Sequence, residues 1–317
     1  MDSKPELAAL FGAAELNTFF GIKKCQSLDK IDAKIVLMGA PGATPYRSVG
    51  AYCKNAPNTL RKSISSLSAN IDRHNFDLGG PTFPDGINIL TDCGDLAYDE
   101  QDYEKNRKVI KDSIRKVINQ DAIPVLVGGD DSVPIPMLQA FENKGRYTIL
   151  QIDAHIDWRN SHMDESLGLS STMRRASEMP HIERIIQVGA RNIGSGHSDD
   201  LKDALDWGVQ FFSAYDLHEK GVSKVIELIP KDTKVIVCLD VDALDPAIVP
   251  GVIGRAPGGL SYFQTLDLIK GASIKGKISA INFVEFLPEA DIDGIGAMTV
   301  SRLIASTLGL LARQVNK

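Results

Sequence analysis

The chain has 317 residues, 43% of them hydrophobic and 24% charged, and a formal charge of −6. That composition fits a globular protein with room for one large α/β domain or two ordinary ones. The negative balance argues against a nucleic-acid groove or an anionic membrane surface as main partner and suits a small cationic ligand.

Residues 1–32 are mixed and poor in helical pattern, and are read as an N-terminal arm or lid outside the core. From Ala33 onward, apolar strand-like runs at 35–38, 87–90, 123–127, 147–152, 185–188 and 235–239 are separated by helix-like segments. Such alternation predicts βαβ units and a mostly parallel sheet covered on both faces. Between Tyr103 and Asn119, apolar Val109, Ile110, Ile114, Val117 and Ile118 recur with charges between them, the spacing of an amphipathic helix, and 292–315 ends the chain in a similar pattern. No repeat, low-complexity tract or linker interrupts 33–317, so a single domain is expected. Four cysteines, Cys25, Cys53, Cys93 and Cys238, show no CxxC spacing and suggest a reducing compartment. The opening Met1-Asp2-Ser3-Lys4-Pro5-Glu6 has no basic and apolar leader, and no apolar run approaches the ~18–20 residues that span a bilayer, so a cytoplasmic location is expected.

Three acidic stretches fall at predicted strand ends: Gly128-Gly129-Asp130-Asp131-Ser132, Asp153-Ala154-His155-Ile156-Asp157, and Asp240-Val241-Asp242-Ala243-Leu244-Asp245-Pro246. In open α/β sheets, ligands bind beyond the carboxyl ends of the strands. Asp153, His155 and Asp157 alternate, so in extended backbone they face one way, and Asp240 with Asp242 repeats the device. A single Asp after a strand is often only a helix cap. Several carboxylates packed together repel and raise one another's pKa unless a cation compensates. Oxygen donors, one imidazole and no thiolate suit divalent ions, Mn²⁺ or Ni²⁺ before Co²⁺ or Zn²⁺. Two such ions ~3.5–4 Å apart would bring the pKa of a shared water toward neutrality.

From about residue 33 to the C-terminus the chain resembles the ureohydrolases, the arginases and agmatinases that hydrolyse guanidino groups to urea and an amine. The resemblance rests on Gly39-Ala40-Pro41 with Arg47 and Gly50, Asp92-Cys93-Gly94-Asp95, the three acidic stretches, the continuation to Gly251 with Pro257-Gly258-Gly259-Leu260, and Val284-Glu285. It implies a three-layer α/β/α domain assembled into trimers or hexamers. It also implies that Asp153 and Asp240 bridge two ions, that Asp157 completes one, and that His155 with Asp242 completes the other. Glu285 matches the acid that holds the substrate guanidinium, a forked cation that a carboxylate suits; the alternative is a surface Glu at a strand end. Asp245 is read as a supporting catalytic residue that fixes its loop or hydrogen-bonds near the nucleophilic water, and not as a metal ligand.

Two positions depart from the family pattern. Asp131 stands where the family has a His ligand, so the first ion site is either retained with an extra negative charge or weak and empty. Ser170-Ser171-Thr172 stands where a His-Gly-Thr stretch is expected, which removes the imidazole that would carry a proton to the leaving amine. His162 is either its replacement or a solvated loop residue. Ser170 and Trp158 are expected to line the substrate pocket, although Trp158 is equally readable as a core or interface residue. Arg159 and Arg174 are open between recognising an anionic substrate group and lying on the surface. The chain is therefore expected to be a two-metal amidinohydrolase acting on a small cationic guanidino substrate, as a homo-oligomer. The alternative is a weak or silent subunit that supports an active paralogue in a hetero-oligomer.

Overall fold

A computed structural model describes residues 17–316. Eight strands form one sheet: β1 Ile35–Gly39, β2 Leu90–Asp95, β3 Ile123–Val127, β4 Tyr147–Ile152, β5 Ile182–Val188, β6 Gln210–Phe212, β7 Lys234–Asp240 and β8 Lys277–Val284. Their spatial order is β2-β1-β3-β8-β7-β4-β5-β6, and every pairing is parallel. The helices are α1 Ala56–Ser65, α2 Tyr103–Ile118, α3 Pro134–Gln139, α4 Thr172–Ser177, α5 Ser198–Trp207, α6 Ala214–Lys220, α7 Ser223–Glu227, α8 Tyr262–Lys275 and α9 Ile295–Val315.

Alternation along the strands divides the core in two, because successive side chains point to opposite faces. Leu37, Val125, Leu150 and Val237 join α1, α6, α7, α8 and α9 on one face. Val36, Met38, Leu126, Ile149 and Ile236 join α2, α3, α4 and α5 on the other. The central strands are apolar throughout because both faces are covered. In α2 the buried Ile110, Ile114 and Val117 fall one helical turn apart, and Asp102 caps the helix by accepting from Lys105 N at 2.9 Å. Truncating Ile114 to Ala would cost about 2–5 kcal/mol. The expected three-layer architecture is therefore observed.

Several local expectations need correction. The segment before β1 is not an arm outside the core from Phe19 onward: Phe19, Phe20 and Ile22 are buried in the first core cluster, and Lys24 bridges to Asp92 at the edge of the sheet. Residues 1–16 of that expected arm lie outside the described residues. The strand expected at 87–90 runs instead over Leu90–Asp95. Its acids disguise it: Asp92 is fully buried, yet it accepts from Arg61 Nε at 2.8 Å and Phe19 N at 2.8 Å. Strands β6 and β8 are additions to the expected set. Finally, α9 is long and apolar enough to cross a membrane by length and composition, although Arg302 divides its apolar run. Its apolar window is 78% buried within the fold, which makes it a core helix.

Candidate functional site

Four adjacent central strands, in the order β3, β8, β7, β4, end on one edge of the sheet, and each hands an acid to the loop that follows. From β3 the chain turns through Gly128 and Gly129, at φ 91° and 77°, to reach Asp130 and Asp131. A side chain on Gly129 would come within 2.5 Å of the Ala40 carbonyl oxygen, so this turn requires glycine. From β8 comes Glu285 at φ 67°, and beyond β4 stands Asp157 at φ 44°. Left-handed backbone at a residue other than glycine costs of order 1–3 kcal/mol and persists only where the surroundings hold it.

Two groups of ligand atoms result. Those of Asp153, His155 and Asp242 lie within 4.8 Å of one another, and so do those of Asp131, Asp153 and Asp240. His155 Nδ1 is 3.1 Å from Asp242 Oδ2 and 3.5 Å from Asp153 Oδ1. Strand alternation, expected to align the second acidic stretch, does not operate there, because β4 ends at Ile152 and His155 N folds back to donate to Asp153 Oδ1 at 2.6 Å. A turn, not a pleat, gathers these residues. Asp157 stands outside both groups and meets Asp153 through Gln151, whose Nε2 donates to Oδ2 of each at 2.8 Å. Gln187 Nε2 donates to Gln151 Oε1 and to Ile156 O, which fixes the amide's orientation. Neither glutamine carries a sequence signal, since each reads as an ordinary strand residue.

The electrostatics describe a site short of positive charge. Asp131 and Asp157 are pushed well above the usual carboxylate range, first by burial and then by neighbouring acids, and Asp240 likewise. Burial opposes the charge on His155, but its bonds to Asp153 and Asp242 outweigh this and raise it to about 12. Burial also opposes the charge on Asp242, yet His155 holds its pKa below the ordinary value. Asp131 Oδ2 is buried without any hydrogen-bond partner. Four carboxylates and one imidazole with no thiolate suit divalent cations in the two groups, and the orphaned oxygen of Asp131 lies in the β3-side one.

Glu285 faces the same cavity, of about 310 Å³, as Asp131, Asp240 and Asp242. Its Oε1 accepts from Asp131 N at 2.7 Å, and Tyr52 OH donates to both carboxylate oxygens at 2.9 and 2.8 Å. Burial and then Asp130 raise Glu285 to about 8, against the pull of these donors. Glu285 is 4% exposed, which removes the surface-residue alternative. Tyr52 is missed by sequence reasoning, because nothing in its neighbourhood announces a partner 233 residues away.

The remaining expected residues separate. Ser170 lines the cavity, where its N donates to Tyr46 OH at 3.3 Å. His162 and Arg159 also line it, with Arg159 Nη1 2.8 Å from His162 Nδ1. Arg174 does not reach it and pairs with Asp203 and Glu178. Trp158 belongs to the wall, but its indole is 2% exposed and donates to Asp203 Oδ2 at 2.8 Å, so it offers no open aromatic face. Of the two readings of Asp245, the loop-fixing one is what the contacts show, in place of a catalytic one: it is absent from the cavity wall and accepts from the backbone N–H groups of Ala247, Gly258 and Gly259, each at 2.9 Å. Arg191, missed from sequence, holds the same loop through the carbonyl oxygens of Asp242 at 2.7 Å and Ala256 at 2.7 Å.

A parallel α/β domain whose central strand ends present two cation-ready acid groups and a separate carboxylate to one cavity defines a metal-assisted hydrolase. The model of the Arginase family matches residues 33–309. Among curated relatives, the mitochondrial arginase of Medicago truncatula is 30% identical over 296 residues, covering 88% of this chain and 82% of its own. An N(1)-aminopropylagmatine ureohydrolase of Thermus thermophilus is 32% identical over 218 residues, covering 67% and 70%. Among solved structures, a hypothetical agmatinase from Burkholderia thailandensis superposes with a TM-score of 0.81 at 25% identity, covering 96% of this chain and 93% of that one. The chain belongs to the arginase family, as a hydrolase of guanidino-type C–N bonds with agmatinase-like relatives.

Proposed function

We propose that this protein hydrolyses a substituted guanidine to urea and an amine, with the guanidinium seated on Glu285 and two divalent ions, Mn²⁺ or Ni²⁺, in the acidic cluster. The observation that carries the reading is the shared cavity of Glu285, Asp131, His155, Asp240 and Asp242. When bound, the ions supply a water acidic enough to attack near neutral pH and offset the surplus of carboxylates. Asp131, Asp153 and Asp240 would hold one ion and Asp153, His155 and Asp242 the other, with Asp157 beside them. Glu285 retains acceptor capacity beyond its bonds to Tyr52 and Asp131 N, and so holds and orients the forked cation.

The leaving amine needs a proton. Ser170 has no pKa suited to deliver one, whereas His162 is the imidazole of the cavity wall that stands apart from the acidic cluster. Burial and then the Arg159 guanidinium at its Nδ1 lower the pKa of His162, so its ring is neutral near pH 7 and its Nε2–H orients the leaving group by a hydrogen bond instead of giving up the proton. Arg159 has no carboxylate within ion-pair distance among the described residues, and in the wall it suits a substrate that carries an anionic group at the end opposite its guanidinium.

Urea release by the purified chain, with Mn²⁺ and Ni²⁺ supplied in turn, tests this against 4-guanidinobutyrate, butylguanidine and agmatine. Urea from the chain alone, and Glu285→Gln that keeps its metal but loses about 2–5 kcal/mol of transition-state stabilisation, are the expected results. Absence of urea from every guanidine with metal bound overturns the reading.

A further inference from the structure

The structure assigns Cys25 and Cys93 as an oxidisable pair that closes to a disulfide and ties the segment before β1 to strand β2. The backbone register places them together. Lys24 and Asp92 form a parallel bridge, in which Cys25 N donates to Asp92 O at 2.8 Å and Asp92 N donates to Lys23 O at 2.9 Å. The next residues along, Cys25 and Cys93, therefore lie at strand spacing, about 5 Å between Cα atoms, inside the range a disulfide spans. Residues in register on parallel neighbours turn their side chains to the same face, and the Cys25 sulfur is near enough to help push the Cys93 thiol up. Both residues are only partly buried, whereas Cys53 and Cys238 are enclosed.

Burial, followed by the contact with Cys25, pushes the Cys93 thiol up, so Cys93 remains protonated at neutral pH and Cys25 reacts first. The oxidant is a low-molecular-weight disulfide. The Cys25 thiolate attacks one of its sulfurs, forming a mixed disulfide and releasing one small thiol. Cys93 then attacks the Cys25 sulfur and releases the second. The two protein protons end on the two released thiols, and the two electrons reduce the small disulfide.

The bond would act on a segment that is already part of the fold. Phe19 N donates to Asp92 Oδ2 at 2.8 Å, and Asp92 in turn accepts from Arg61, so the residues leading to Cys25 pack against the edge strand that carries Cys93. The closed loop spans roughly 70 residues, long enough that closure should restrict the unfolded chain substantially. In a reducing compartment the pair stays as two thiols, and oxidation converts the non-covalent cover of the sheet edge into a covalent one.

The test equilibrates the full-length, metal-loaded protein with glutathione buffers of increasing disulfide content, followed by peptide mapping without reduction and by thermal unfolding. The expected result is a Cys25–Cys93 linked peptide, a melting temperature raised by several degrees, and unmodified Cys53 and Cys238. Closure of the pair should need about a tenfold lower proportion of glutathione disulfide than glutathionylation of Cys25 in Cys93→Ser, because the second thiol is already in place. Separate glutathione adducts on Cys25 and Cys93, or two free thiols in excess glutathione disulfide, would overturn the assignment. Cys25→Ser and Cys25→Ala, which remove the first nucleophile in two ways, should both abolish the linked peptide and the rise in melting temperature.

Discussion

The two acid groups share Asp153 but are built on different terms. On the β4 and β7 side, His155 sits between Asp153 and Asp242 as an internal cation, and Ala154 N donates to Asp242 Oδ1 at 3.1 Å. On the β3 side, Asp131 faces Asp153 and Asp240 with no cationic side chain in its group and one oxygen unpartnered. One half is organised before any ion arrives, and the other is organised around an ion it does not itself supply. The departure at Asp131 thus falls in the half with the fewest internal supports.

This contrast can be broken or sharpened experimentally. The largest effect is expected from Asp240→Asn, which removes one carboxylate charge from the β3-side group while leaving an oxygen to accept from Asp242 N. Metal content measured by atomic emission should collapse and turnover fall by about three orders of magnitude; unchanged metal content would show that Asp240 is no ligand. Asp131→Ala should remove only the β3-side ion, taking a two-ion titration to one. Loss of both ions together would mean that the halves are not separable. Gln151→Leu deletes the donor shared by Asp153 and Asp157, and calorimetric metal affinity should weaken by about 10–100-fold. An unaltered affinity would mean that the Gln151 and Gln187 pair only packs.

The smallest effect is on stability against pH in chelator-treated protein. Glu285 rises from 4.5 to about 8 on folding, so its contribution is fully present below 4.5 and is lost as pH rises toward 8. Asp131, Asp157 and Asp240 are shifted in the same direction, whereas Asp242 is shifted the other way and is stabilising once ionised. His155, raised from 6.5 to about 12, loses its contribution across that higher window. The melting temperature of the metal-free protein should therefore fall between pH 5 and 8, and divalent metal should flatten the slope. A metal-free melting temperature that is flat or rising over this window would contradict the assigned charge balance.

How far the sequence reaches depends on the kind of contact. Ile110, Ile114 and Val117 announce α2, because helical period and burial are both local. The acids after β3, β4 and β7 announce a cation site, because like charges so close in the chain need compensation. The bounds of β2 are not legible in the same way, because Asp92 owes its burial to Arg61 and to Phe19 N, partners that no local pattern reveals.

By itself the sequence determined the parallel α/β class, the acidic strand ends and the family resemblance, since strand period, helix period and residue chemistry are properties of short stretches. Tertiary structure decided that β3, β8, β7 and β4 stand side by side and that Tyr52 reaches Glu285. It also decided that Asp245 serves a loop, that Arg159 and His162 enter the cavity wall while Arg174 does not, and that Cys25 stands beside Cys93. Each of these joins residues through strand order or loop closure, and a linear pattern carries no record of which distant segment fills the space beside it.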